Sequence, residues 1–269
     1  MNNYTNELSN EQLQLSTPSV FSPVHKETLS KHYSFMPTTN IVDLLKAKGW
    51  VVVSANQVRS KRADALFKRH MVRLRHSSNL ASNPEFIPEM VVVNSHDGTS
   101  TLQLHLGMFR LACSNGLVIA DSTFSSIKFR HMGFTPDQVI DASFKILEAA
   151  PESAKFIEHM SSVNLTDEKK LELASQSLQL KYDDASKAPI EFKQLLEVRR
   201  EADKGNDAWS VFNVVQENLM RGGQSNDVIK ARTLAATGKH GRSSRSVNAV
   251  KEQLRINKGL WELFANASK

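Results

Sequence analysis

Apolar positions along the chain change their period near residue 135. Before it they come in short runs rich in β-branched residues, several with every second position apolar. Beyond it they recur at intervals of three and four. One helical stretch precedes the strands: in "NIVDLLKAKGW", Ile41, Leu44 and Leu45 share a face and Gly49 supplies the stop. "WVVVSANQVRS" then reads as a strand, and "FKRHMVRLRH" as the next, with Arg73 and Arg75 two apart and so on one face. A loop containing Pro84 and Pro88 leads into "EMVVVNS". In the following run Leu102, Leu104, Leu106 and Met108 point one way, and Gln103, His105 and Phe109 the other. Asp97-Gly98 between these two runs is a strong hairpin signal, because such a turn takes positive φ at its centre. Asn115-Gly116 in "CSNGLVIA" repeats it. The stretch to about Arg130 is thus predicted as a meander of four to six strands.

"TPDQVIDASFKILEA" opens with Thr135 as N-cap, Pro136 in the first turn and Gln138 three residues on, a capping box. A second helix is expected from Pro151, a third after Thr166, and a fourth over "IEFKQLLEVRRE". A fifth, "DAWSVFNVVQENLMRGG", carries the stripe Trp209, Phe212, Val215 and Leu219 and stops at Gly222-Gly223. Its polar positions Asn213, Gln216 and Glu217 read as a solvated face. "GKHGRSSRS" is a basic Gly/Ser loop, and "VNAVKEQLRINKGLWELFANA" a terminal helix. The predicted class is α+β: an N-terminal antiparallel β-meander sheet followed by a helical C-terminal half. Residues 1–37, polar and without a period, are expected as a flexible arm or irregular wrap, 38–132 as the sheet region, and 133–269 as a helical region packed on the sheet, with a basic loop at 238–246.

Composition adds an ordinary globular background, 40% hydrophobic and 23% charged over 269 residues. No apolar run approaches the roughly 20 residues that span a bilayer, so no membrane association is expected. The first residues lack the basic start and apolar centre of a secretory signal. A single cysteine, Cys113, allows no internal disulfide, and a reducing cytoplasm is the simplest location.

Charge changes the picture more. Between Arg59 and His76 there are seven Lys/Arg against one acid, Asp64; between Arg221 and Lys258 there are nine against two, Asp227 and Glu252. These segments carry +13 of a formal net charge of +6, leaving −7 elsewhere. Such segregation is the electrostatic footprint of a polyanion binder.

Candidate chemistry is thin by comparison. His96, Asp97, His105 and Cys113 offer metal-ligating or nucleophilic atoms, yet no CxxC, HExxH or paired HxH spacing brings them together, and Asp97 is better used by a turn. There is no GxSxG elbow, P-loop or GxGxxG. No metal, cofactor or catalytic residue is therefore expected. The nucleic-acid-binding candidates are Arg59, Lys61, Arg62, Lys68, Arg69, Arg73 and Arg75 on and beside the basic strand, with Lys239, Arg242 and Arg245 of the basic loop.

The blocks "VVVNSHDGTSTLQLHLGMFRLACSNGLVIAD", "NDAWSVFNVVQENLMRGG" and "RSVNAVKEQLRINKGLWELF", with "FMPTTNIVDLLKAKGW" and "FKRHMVRLRH", resemble the prophage- and plasmid-borne bacterial family labelled domain of unknown function 932, which includes the YubP/YfjQ-like proteins. The resemblance runs from about Phe35 to the C-terminus. It implies an accessory protein of mobile elements and brings no reaction or catalytic residues. Single-strand annealing proteins of such elements offer a fold-level analogy only. The expectation is a non-enzymatic nucleic-acid-binding protein of a phage, prophage or plasmid, binding single-stranded DNA in recombination or replication and forming a homo-oligomer. The alternatives are an anti-defence or anti-restriction protein that binds a host defence protein, and a metal-dependent nuclease or hydrolase.

Overall fold

The computed structural model describes residues 7–57, 63–79, 86–110, 117–118 and 126–269. The chain divides into two compact units, Met1–Glu152 and Ser153–Lys269. The class is α+β, with an N-terminal antiparallel sheet followed by a helical half.

The first unit is built on strands β1 (Trp50–Gln57), β2 (His70–His76), β3 (Phe86–Asn94), β4 (Leu102–Arg110), β5 (Leu117–Val118) and β6 (Ser126–Phe129). They run in the order β1-β2-β3-β4, all antiparallel, and β5 and β6 share the outer edge of β4. Pro88, expected in a loop, lies inside β3. Strand β2 pairs only with Met90–Asn94, so Phe86–Glu89 has a neighbour on one side only, where a missing N–H is tolerated. The 93–103 hairpin has a longer loop than a two-residue turn: pairing stops at Val93↔Gln103, and Gly98 takes φ +74°. The second expected turn, Asn115-Gly116, lies outside the described residues, as does Cys113.

The alternation read from the sequence holds in the register. Leu74, Met90 and Leu106 fall in one row, and Val72, Val92 and Leu104 in the next. The opposite face carries Arg73, Val91 and His105. Met90, Val91, Val92 and Val93 are all fully buried, so both faces of the central strand are covered.

Helix α2 (Thr38–Lys46) buries Ile41, Val42 and Leu45, and Gly49 follows it at φ +87°. The segment before it, where described, contains two short helical elements. Helix α1 (Asn10–Ser16) is held by a Ser9/Gln12 capping box and buries Leu13, and Val20 is buried in the 3-10 turn after it. The amide of Leu8 donates to Val52 O (2.8 Å), which ties this segment to β1.

Helix α3 runs unbroken from Pro136 to Ser162, with Pro151 inside it rather than starting a new helix. Its apolar positions Val139, Ala142, Ile146 and Ala150 continue in step with Ile157 and Met160, and this continuous buried stripe outweighs the lost hydrogen bond of one proline. Thr135 caps it as expected, with Gln138 Oε1 accepting from the Thr135 amide at 3.0 Å.

The second unit contains α4 (Asp167–Lys181), α5 (Ala208–Arg221), α6 (Asp227–Thr237) and α7 (Val250–Ala267). Thr166 and Asp207 cap α4 and α5. Phe212 is the centre of an aromatic core, stacked on Trp209 (5.4 Å) and edge-on to Phe264 (5.3 Å) and Trp261 (6.4 Å). Leu180 at the end of α4 lies so near Gly259 of α7 that a Cβ there would sit 2.7 Å from Leu180 Cδ2.

Two expectations fail in this unit for one reason. "IEFKQLLEVRRE" forms only a 3-10 turn, Phe192–Leu196, and then runs extended through Arg200. The polar positions of α5 are not solvated: Asn213, Gln216, Glu217 and Asn218 are all buried. Each problem answers the other. Asn218 Nδ2 donates to the carbonyls of Leu195 (3.0 Å) and Glu197 (2.9 Å), which a continued helix would have used itself. Arg200 grips Glu217 with both guanidinium ends (2.5 and 2.9 Å), and Gln216 meets Asn257 of α7 (2.9 Å).

Candidate nucleic-acid interface

The two basic segments have different fates. On β2, Arg73 and Arg75 do share a face, but both point at Glu89 of β3. Arg73 Nε donates to Glu89 Oε2 and Arg75 Nε to Oε1, each at 2.6 Å. The Glu89 side chain is fully buried, and the arginine side chains are only 15% and 11% exposed. Arg73 also lies over the Phe109 ring, 3.4 Å from its centre. The pair therefore closes a buried ion cluster and does not form an open cationic platform. The signal missed in the sequence is Glu89, an acid inside an apolar strand, which has to meet a cation across the sheet.

Lys68 and Arg69 precede the strand. Lys68 pairs with Asp64 (3.9 Å), and Arg69 donates to the carbonyl of Thr99 in the 93–103 hairpin loop. Arg59, Lys61 and Arg62 lie outside the described residues.

The segment from Arg221 onward is different. Gly222 and Gly223 end α5 at φ +70° and +82°, and Asn226 caps α6 through the Ile229 amide (3.1 Å). Helix α6, which the sequence reading missed, buries none of its residues. Its signals were present as Asn226-Asp227 at the start and Gly238 in the left-handed region at the end. Arg232, Lys239, Arg242 and Arg245 are exposed, and none of them makes an ion pair among the described residues. Arg221 contacts Glu217 only loosely (3.6 Å), and Lys230 pairs with the exposed Asp227 (3.6 Å).

The far end of this basic loop is anchored by its backbone. Gly223 N donates to Ser244 O (2.8 Å), Ser244 N to Gln224 O (2.7 Å) and Val247 N to Met220 O (2.9 Å). Lys181 adds a clamp: Nζ donates to the carbonyls of Leu219 (2.6 Å) and Arg245 (2.7 Å). Burial lowers the Lys181 pKa to about 8. The arrangement holds the Arg245 backbone still and leaves its guanidinium in water, which suits contact with an extended polyanion.

The residues considered for metal or nucleophilic chemistry do not converge. His96 is buried, its Nε2 3.3 Å from the Thr38 hydroxyl, which also meets His70 (2.8 Å) and Asn94 (3.0 Å). Asp97 turns outward and accepts from the Thr99 hydroxyl (2.6 Å) and amide (3.1 Å). Burial opposes its ionisation, but bonds from Thr99 and Ser95 hold its carboxyl below the usual range. His105 sits on the other face of β4 and bonds Gln103 (3.0 Å). Burial lowers the pKa of His70 to about 4, His96 to about 3 and His105 to about 4. Among the described residues no group of three His, Cys, Asp or Glu is placed to hold a metal ion. Among them, too, no helix is long and apolar enough to cross a membrane.

Comparison with known proteins adds relatives. A family model described as "Domain of unknown function (DUF932)" matches residues 25–261. Two proteins of Escherichia coli (strain K12) are similar along nearly their whole length. UPF0380 protein YafZ is 32% identical over 256 residues, 94% of this chain and 89% of its own. UPF0380 protein YfjQ is 32% identical over 258 residues, with the same coverage. No solved structure matches the chain significantly.

Proposed function

Because this chain belongs to the domain of unknown function 932 family, whose description assigns no activity, its function is read from its own surface, and we propose that it is a non-enzymatic nucleic-acid-binding protein working through the basic segment from Arg221 to Arg245. One observation carries this reading: Arg232, Lys239, Arg242 and Arg245 are exposed without carboxylate partners among the described residues, in a chain that pairs Arg73 and Arg75 internally. Unpaired surface cations gain most from phosphates, because binding releases counterions and breaks no internal ion pair.

Residues 227–245 contain no Phe, Tyr or Trp, so contacts there are to the backbone and tolerant of sequence. Single-stranded DNA is the first ligand in this proposal, in the recombination or replication of a mobile element. Homo-oligomerisation would multiply weak phosphate contacts along a strand. The reading places the protein in the cytoplasm.

Fluorescence anisotropy with a labelled single-stranded oligonucleotide across a salt series tests it. The log–log slope should be about −0.7 per phosphate neutralised. Replacing Arg232, Lys239 and Arg242 by Gln should flatten it by about 0.7 for each residue lost, while Arg73→Met leaves the slope as it was. A flat salt response in the wild type, or an unaltered slope in the triple variant, rejects the proposal.

A further inference from the structure

A cavity of about 380 Å³ opens in the first unit, within the range of small-molecule sites. Three stretches distant in sequence line it: 29–33 before α2, the hairpin loop at 98–101, and the turn at 130–132 after β6. Backbone and side-chain hydrogen bonds join them. Ser34 N donates to His131 O (2.8 Å), Gly133 N to Ser34 Oγ (3.1 Å), and the Tyr33 hydroxyl to Ser95 O (3.3 Å). Gly98 takes φ +74°, which favours glycine, and a Cβ there would lie 2.6 Å from Leu29 Cδ2, so any larger residue would have to displace the Leu29 side chain.

The lining has a definite chemistry. The Tyr33 and His131 rings lie 4.6 Å apart at 31°, forming an aromatic wall beside Leu29 and Met132. His131 is 7% exposed, and neither ring nitrogen completes a hydrogen bond of ordinary geometry, although the Ser34 and Ser100 backbone lies near it. Arg130 is exposed and makes no ion pair among the described residues. Among the described residues no carboxylate lines the cavity, and the nearby Asp97 accepts from the Thr99 hydroxyl. The site thus offers the Arg130 guanidinium fork, the Thr101 hydroxyl and an aromatic-apolar wall, while the Ser100 hydroxyl is taken up by the Thr101 carbonyl (2.9 Å) and Gln103 (3.2 Å).

We infer that this cavity binds a small phosphomonoester carrying a planar ring, of mononucleotide size, with Arg130 on the phosphate and the Tyr33–His131 wall against the ring. A guanidinium meets phosphate oxygens two at a time, which is the geometry a free Arg at a cavity rim provides. The ring fills the space between that wall, Leu29 and Met132. This site shares no residue with the basic segment of α6 and stands or falls independently of it.

Calorimetric titration of the full chain tests the assignment, with adenosine monophosphate and inorganic phosphate as separate probes. Adenosine monophosphate should bind saturably. Arg130→Met should weaken both probes at least about tenfold while leaving the thermal midpoint unchanged, since Arg130 is exposed. Tyr33→Leu should weaken adenosine monophosphate and spare phosphate. Absence of saturable binding by adenosine monophosphate, or its retention by Arg130→Met, overturns the inference. So does displacement of the mononucleotide by a 5′-phosphorylated oligonucleotide but not by its unphosphorylated form, which would make the cavity a subsite for a nucleic-acid end.

Discussion

Lys181 holds Arg245 by its backbone, not its charge: the ammonium donates to the Arg245 carbonyl at 2.7 Å and to the Leu219 carbonyl at 2.6 Å. One cation therefore satisfies the last turn of α5 and secures the returning basic loop. Lys181→Met keeps the stem and removes both bonds. It should lower the stability of the second unit by about 1–2 kcal/mol and speed tryptic cleavage after Lys239 and Arg242. Thermal unfolding and timed proteolysis read the two effects, and an unchanged cleavage rate would show that the loop is secured by its backbone bonds alone.

Glu89→Gln leaves Arg73 and Arg75 in place with their shared carboxylate gone. A buried pair broken from one side costs about 3–5 kcal/mol, and this value is the expectation here. Replacing all three by Leu or Met of matching bulk should cost much less, because the buried carboxylate and the two cations on it are removed together. Denaturant titration of the two variants side by side makes the comparison. Equal losses would mean that the residues matter as packing volume and not as charge.

The buried histidines set an acid limit. Burial holds the folded-state pKa of His70 and His105 to about 4 and of His96 to about 3, below the ordinary 6.5. The folded chain thus binds fewer protons than the unfolded one in this window. Stability contributed by the neutral rings is complete above pH 6.5 and is lost as pH falls towards 4. Urea midpoints measured from pH 7 to 4 should decline over that range. His105→Gln, which can still bond Gln103, should make the decline shallower.

Gly222 and Gly223 share a positive φ, +70° and +82°, but have different surroundings. A Cβ on Gly222 would lie 2.4 Å from the backbone of Arg245 and Ser246, whereas one on Gly223 would meet nothing within 4 Å. Gly223→Ala should therefore cost only about 1 kcal/mol for its positive φ, and Gly222→Ala several-fold more, because backbone cannot step aside. Differential scanning calorimetry distinguishes the two. Similar midpoints would mean that the 245–246 segment moves freely.

Much of the fold is legible in the sequence because it is local. The Thr135, Thr166 and Asp207 caps, the alternation in β4 and the stop at Gly222 depend on residues a few positions apart. What was missed depends on distant partners. Nothing near Arg73 announces Glu89, sixteen positions on, and nothing near Glu217 announces Arg200 folded back on it. Hence polar residues on α5 looked solvated and the 192–203 run looked helical. Pro151 misled in the opposite way, since its local penalty is overruled by the apolar stripe of α3. For the candidate site, the basic segments were visible as charge counts. Only the fold separates cations already matched from cations facing water.

The buried polar side of α5 has a consequence for how the second unit reaches one structure. A helix enclosed on all sides by oily residues can slide or rotate a turn with little penalty, because one hydrophobic contact replaces another. Here Glu217, Asn218 and Gln216 meet fitting polar counterparts, among them Arg200, the 195–197 carbonyls and Asn257. A shift of a single turn would strand all three at once. They act as the wards of a key, admitting the helix to its bed at one depth and one angle only.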